Sequence, residues 1–246
     1  MHVTIDNLLR TRRNPFILPL IWTFMFSSDT KVPTGTGALD ELLDQGYENG
    51  AITTIYGAAG SGKTNLCMLT AIRMVGRGRK IVYIDTEGKF SVERLHQITV
   101  HGDAVLRNTL FFRPTTLDEQ TSMIVSLEKI LRANIGLIVV DSLTALYRME
   151  LSRDSRRANT LLRKQGALLT RYARQFGIPV LVTTQVYADM NNNSMVTLVG
   201  GNVLRKASWC ILQLENVEGV RRIILRKHRT LPEKSIEFKI GEKGIV

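Results

Sequence analysis

Residues 57 to 64 read Gly-Ala-Ala-Gly-Ser-Gly-Lys-Thr, a complete GxxxxGK[ST] pattern, and no other stretch restricts the fold so tightly. Its glycines let the backbone curl so that successive N–H groups point inward at phosphate oxygens. Such a loop needs a strand before it and a helix after it, because the helix N-terminus adds the positive end of its dipole. Both flanks are present: residues 51–56 read as a strand and 63–75 as a helix stopped by the glycines at 76 and 78. Gly57, Ala58, Ala59, Gly60, Ser61, Gly62, Lys63 and Thr64 are therefore the candidate phosphate site. Lys63 would reach the terminal phosphates, and the Thr64 hydroxyl would hold Mg²⁺.

From residue 35 onward strand and helix patterns alternate, the signature of a mostly parallel sheet flanked by helices. Strands are expected at 80–85, 109–112, 137–141 and 180–184, and a helix from about Ser91. Thr116 and Glu119 form a capping box that opens a helix running to Ala133. A long helix ends near Phe176, where Gly177 and Pro179 stop it. Residues 186–201, rich in Asn and Gly, read as a loop; 209–214 and 220–226 read as a hairpin, and 236–240 closes the sheet. Neither an internal repeat nor an interdomain linker is visible, so 33–246 is expected to be one domain and 1–32 an extension. In that extension Arg10, Arg12 and Arg13 precede the apolar run 16–26. This run is too short to span a bilayer, Pro19 interrupts it, and Met25 offers an alternative start.

Two acids end neighbouring strands. Asp141, after Leu137-Ile-Val-Val, would sit at the crevice edge and organise the Mg²⁺ shell. Glu87, in Asp85-Thr-Glu-Gly88, is placed either to orient the water that attacks a γ-phosphate or to make a surface salt bridge or cap.

The chain carries 33 basic and 22 acidic residues, a net charge of +11, which points to a polyanion such as nucleic acid or a membrane surface, with general solvation as the alternative if the charge is spread evenly. Residues 148–174 hold eight Arg or Lys against Glu150 and Asp154. Arg153, Arg156, Arg157, Arg163 and Lys164 within it are candidate DNA contacts through phosphate charge, with a solvated helix face as the alternative. Two cysteines, Cys67 and Cys210, cannot staple a fold of this size and lack paired zinc spacing, so a reducing, cytoplasmic home is expected.

The order of the phosphate loop, Tyr83-Ile-Asp-Thr-Glu87-Gly-Lys-Phe90, Val139-Val-Asp141-Ser142-Leu-Thr-Ala-Leu-Tyr147, Thr184-Gln185-Val186 and Gly200-Gly201-Asn202 resembles the ATPase core of the RecA/RadA recombinases over residues 33 to 246. The resemblance implies an α/β fold: a RecA-like P-loop NTPase core with a twisted, mostly parallel sheet and a C-terminal antiparallel hairpin extension. It implies ATP and Mg²⁺ as cofactors, Glu87 as the catalytic glutamate, and Gln185 as the γ-phosphate sensor joined to a DNA-binding loop. It also implies that Arg94 packs on the adenine. Residues 148–174 correspond to the first DNA loop of that core and 186–199 to the second.

Lys227-His-Arg229-Thr-Leu-Pro-Glu233 is similar to the C-terminal signature of a short archaeal group in the family. Lys227 and Arg229, expected just past a strand, also resemble the K-x-R pair of KaiC-like relatives. That makes Arg229 either an arginine finger acting in trans or part of a basic sheet edge.

The chain departs from the family where no helix-hairpin-helix domain precedes the core, where no Phe-x-x-Ala polymerisation motif is found, and where Tyr187 is the second loop's only aromatic. What the resemblance implies is an accessory DNA repair and recombination protein with a weak, DNA-independent ATPase. Its expected partners are DNA of little sequence preference, the RadA recombinase, a Holliday-junction nuclease and further copies of itself. An active strand-exchange recombinase and a KaiC-like signalling ATPase without DNA binding are the alternatives.

Overall fold

The computed structural model describes residues 31–131, 134–187, 197–217 and 219–245. A short antiparallel pair, β1 (Lys31–Val32) and β2 (Tyr47–Glu48), brackets helix α1 (Gly37–Leu42). Then come β3 (Ile52–Gly57), α2 (Lys63–Val75), β4 (Lys80–Asp85), α3 (Val92–Ile98), α4 (Gly102–Arg107), β5 (Thr109–Phe112) and α5 (Leu117–Ile130). The chain continues through β6 (Ile135–Asp141), α6 (Ala145–Leu151), α7 (Ser155–Phe176) and β7 (Val180–Thr184). It ends with β8 (Val186–Tyr187), β9 (Thr197–Leu198), α8 (Gly201–Ala207), β10 (Cys210–Val217), β11 (Val220–Lys227), β12 (Lys234–Phe238), β13 (Ile240–Gly241) and β14 (Gly244–Ile245).

Eight strands form one sheet in the order β12-β11-β10-β3-β7-β6-β4-β5. The six from β10 to β5 are parallel, while β11 and β12 add an antiparallel edge. The parallel strands are apolar on both faces because helices cover both. Alternation along each strand then divides the core in two. Ile81, Tyr83, Leu137 and Val139 pack with Leu66 and Met74 of α2, and Val82, Ile84, Ile138 and Val140 pack with Ile124 of α5 and Leu169 of α7. Helix α7 buries Ala158, Leu162, Leu169 and Tyr172, one stripe at helical spacing, and turns its arginines outward. Since the parallel strands run the same way, their C-terminal ends share one edge of the sheet, where ligands of open α/β sheets bind.

The strands at 80–85, 109–112 and 180–184 and the helix at 63–75 match their expected bounds. The region after Ser91 holds two helices, not one, because the β-branched run Ile98-Thr99-Val100 breaks the first and Thr99 is extended. The capping box is shifted. Thr116 Oγ1 accepts from Glu119 N as expected, but the Glu119 carboxylate takes the N–H and hydroxyl of Thr115 at 2.8 and 2.9 Å, two donors converging on one oxygen. Helix α8 begins at the end of the expected loop; seven residues are too few for periodicity to register. Met25, the apolar run 16–26, Ala133 and the centre of the second loop, 188–196, lie outside the described residues. No helix among the described residues is long and apolar enough to cross a membrane.

Candidate functional site

The loop from Gly57 to Thr64 joins the end of β3 to the start of α2, and glycine is required where the curl is tightest. A Cβ on Gly57 would lie 2.4 Å from the Leu214 carbonyl oxygen, and Gly62 has φ +109° with Ile240 Cδ1 3.0 Å from where its Cβ would be. Lys63 is buried and curls back over the loop, donating from Nζ to the carbonyls of Gly57 at 2.8 Å and Ala58 at 2.7 Å. Burial pushes its pKa down, and the carboxylates of Asp141 and Glu87 push it back up. A lysine among carbonyls, with those acids beyond contact, is free to exchange them for a more basic anion.

Asp141 ends β6 as expected and faces the first turn of α2, where Thr64 Oγ1 donates to its Oδ2 at 2.7 Å. Tyr83 OH donates to the same oxygen at 2.9 Å, and Thr183 Oγ1 donates to Oδ1. Burial, then the charge of Asp141, raises the Tyr83 pKa well above its ordinary value, so the phenol stays a donor. A hydroxyl and a carboxylate held side by side suit Mg²⁺, which takes one or two protein ligands and fills its shell with phosphate and water. Among the described residues, no group of three or more His, Cys, Asp and Glu offers an all-protein cage. The donor set therefore fits a phosphate-bound Mg²⁺.

Glu87 follows β4 on a turn built by a residue to which the sequence reading assigned no role. The Asp85 carboxylate, buried, accepts from Lys89 N at 3.1 Å and Phe90 N at 3.2 Å. Thr86 latches this turn to the end of β6 through its N–H to Asp141 O at 3.0 Å and its hydroxyl to Ser142 O at 2.8 Å. The Glu87 carboxylate meets two partners. Lys89 Nζ forms an ion pair with it, and Gln185 Nε2 reaches both of its oxygens at 3.3 Å. Gln185, just past β7, accepts from Arg148 Nη1 on α6 at 2.7 Å. The structure thus joins Glu87, Gln185 and the head of the basic segment in one chain of contacts. Arg148 was counted in the sequence for its charge alone; its place beside Gln185 needed the pairing of β6 with β7 to be known.

Arg94 sits on α3 against the first turn of α2, with Nε donating to Asn65 Oδ1 at 3.0 Å and Nη2 to Gly241 O at 2.7 Å. It therefore ties the β13–β14 turn to the helix that starts at the phosphate loop. Lys227 is the last residue of β11, not a residue beyond it, because β11 keeps pairing with β10 as far as Ile211. Its Nζ donates to Arg205 O and Ser208 O, both at 2.6 Å, while the Arg229 guanidinium lies 4.6 Å from the centre of the Trp209 ring. Both cations meet the short connection between α8 and β10. Arg229 stays exposed.

The basic segment divides into paired and unpaired cations. Arg157 donates to Glu150 and to Asp118 of α5, each at 2.6 Å, and Arg171 to Glu128 of α5 at 2.9 Å. Their charge is thus met within the molecule, by Glu150 and by two acids, Asp118 and Glu128, that lie outside residues 148–174. Arg153, Arg156, Arg163 and Lys164 are exposed and have no ion pair among the described residues. Arg163 also lines a groove of about 520 Å³ between α7 and α8, together with Thr170, Asn202 and Lys206 and no acid.

Cys67 and Cys210 are free and buried, and burial raises both thiols, Cys210 to about 12.

Comparison with known proteins gives three concordant findings. A family model described as Rad51 matches residues 27–246. The DNA repair and recombination protein RadB of Methanoculleus marisnigri is 43% identical over 220 residues, covering 87% of this chain and 97% of its own length. A protein of the same name from Methanobrevibacter smithii is 38% identical over 230 residues, covering 90% and 97%. Among solved structures, the crystal structure of the RadB recombinase superposes with a TM-score of 0.75 at 36% identity, over 87% of this chain and 98% of that one.

Proposed function

The chain belongs to the Rad51 family, and from that premise we propose that it is a DNA repair and recombination protein in which ATP acts as a switch on DNA binding. The loop from Gly57 to Thr64 would hold ATP with Mg²⁺, and the ion would supply charge neutralisation at the phosphates. Lys63 exchanges its carbonyl partners for phosphate oxygens, and Asp141 and Thr64 hold the ion's protein side. Glu87 takes the proton of the attacking water. Arg94 would be the residue that packs on the adenine. Lys89 and Gln185 both engage the Glu87 carboxylate, which supports a slow turnover because a general base must be released before it can act.

One observation carries the switch reading: Gln185 touches Glu87 with its amide nitrogen and Arg148 with its amide oxygen. A change at the γ-phosphate that draws on Gln185 alters what Arg148 can offer to DNA. Arg153, Arg156, Arg163 and Lys164 supply phosphate contacts of little sequence preference, and Arg157 supports them by anchoring the start of α7 to α5.

The chain acts in the cytoplasm as an accessory to the RadA recombinase or a Holliday-junction nuclease, and residues 33–246 work as one ATPase domain carrying 1–32 as an extension. Arg229 is available in trans to a second copy. Anisotropy of a fluorescein-labelled single strand, titrated with the protein in ADP and in a non-hydrolysable ATP analogue, tests the switch: equal affinities would remove it. A strand-exchange assay without RadA tests the accessory role, since exchange by this chain alone would make it a recombinase in its own right.

A further inference from the structure

The phosphate loop is held at both ends by packing and at its crest by one side chain. Leu214 O approaches Gly57, and Ile240 and Phe238 approach Gly62. Gly60, at the crest, is exposed, has φ +72°, and a Cβ there would meet nothing within 4 Å. Its carbonyl oxygen accepts from Arg221 Nη1 at 2.9 Å. Arg221 lies on β11, opposite Asn216 of β10 and Phe238 of β12.

The neighbouring arginines are spent otherwise. Arg222, on the opposite face of the strand, pairs with Glu237 at 3.0 Å, and Arg226 pairs with Glu233 and Glu215. Arg221 has no carboxylate within ion-pair distance among the described residues. Its charge is thus held at the crest of a loop with the sequence of a phosphate site.

We infer that Arg221 is a positioning residue for the nucleotide: from the C-terminal hairpin it fixes the crest of the phosphate loop and adds positive potential behind it. The amide plane supplies the mechanism. The carbonyl of Gly60 and the N–H of Ser61 belong to one trans peptide and point in opposite directions. Drawing Gly60 O outward therefore turns Ser61 N–H inward, where it now donates to Ala58 O at 3.3 Å. Ordering this peptide in advance removes an entropy cost that nucleotide binding would otherwise meet. Charge near the phosphates favours their binding without touching the water that attacks, so the effect falls on affinity and leaves turnover alone.

The inference rests on the reading that the loop binds nucleotide, and the test separates the two. Affinity for a fluorescent N-methylanthraniloyl-ATP is measured with Mg²⁺ on the full chain, beside kcat and KM for ATP hydrolysis. Arg221→Ala should weaken the analogue and raise KM by about tenfold, the size expected for one charge-assisted hydrogen bond, with kcat unchanged. Arg221→Lys, which keeps the charge, should recover part of the loss, and Arg222→Ala should change nothing. Wild-type binding with an unaltered Arg221→Ala affinity overturns the inference alone, as does a loss equalled by Arg222→Ala. A wild-type chain that does not bind the analogue overturns the nucleotide reading together with it.

Discussion

Gln185 Nε2 stands 3.3 Å from both carboxylate oxygens of Glu87 while its Oε1 accepts from Arg148 at 2.7 Å. An amide has a donor end and an acceptor end in fixed opposition, so neither contact can be re-aimed without disturbing the other. Glu87 and Arg148 are coupled through one rigid group.

Replacing Arg148 should therefore uncouple the two ligands. Arg148→Ala is expected to keep its affinity for nucleotide while the ratio of DNA affinities in ATP analogue and in ADP falls to about one, the condition of zero differential binding. Anisotropy titrations in the two nucleotides read the ratio, and a wild-type ratio in the variant would break the link.

Asp141→Ala removes the acceptor of Thr64, Tyr83 and Thr183 at once. Nucleotide affinity should lose its dependence on Mg²⁺ while affinity in EDTA persists. Stability should drop by about 1 to 3 kcal/mol, because the Tyr83 hydroxyl is left buried without its acceptor. Calorimetric titration with and without Mg²⁺, and a urea melt, measure the two effects independently.

The paired and unpaired cations of the basic segment should separate in salt. For a single strand, each phosphate contact contributes about 0.7 to the slope of log affinity against log salt. Arg153→Ala combined with Arg156→Ala should therefore lower that slope by about 1.4. Arg157→Ala, whose guanidinium is held by Asp118 and Glu150, should leave the slope unchanged and lower the melting temperature slightly. Equal slope changes in the two variants would show that the ion pairs open when DNA binds.

His228 should make folding sensitive to mild acid. Its side chain is 1% exposed, and Nδ1 accepts from the N–H groups of Thr230 and Leu231, both at 3.2 Å. Burial holds its pKa below the usual imidazole value; Glu48 and Asp44 oppose this, and Lys31 and Lys234 reinforce it. The folded chain thus binds fewer protons than the unfolded chain below the ordinary value of about 6.5. Stability present above that pH should fall as pH drops toward the depressed folded value. Urea midpoints between pH 7.5 and 5 should decline in the wild type and flatten in His228→Gln; an equal decline in both would assign the loss to other groups.

Patterns confined to one element were legible in the sequence. The phosphate loop, the buried strand ending at Asp141 and the amphipathic stripe of α7 each follow from spacing that a strand or helix imposes locally. Features that depend on strand order were not. Asp118 and Glu128 reach α7 from α5, so a charge count along residues 148–174 overstated the free charge of that surface. Arg221 and Gly60 are far apart in sequence, and only the placement of β11 beside β10 brings them together. Lys227 was mislocated for a milder reason: strand ends blur where a charged residue can still pair through its backbone.

Gly57 to Thr64, Glu87, Asp141 and Gln185 gather at the C-terminal ends of the strands, away from the opposite rim of the sheet. Helix α2 leaves the phosphate loop and runs to that rim, where Gly78, exposed and with φ +74°, begins the return into β4. A Cβ there would meet nothing within 4 Å. The rim is thus a natural attachment point: a fluorophore, tether or affinity handle spliced beside Gly78 would report on the molecule from the side away from the phosphate loop.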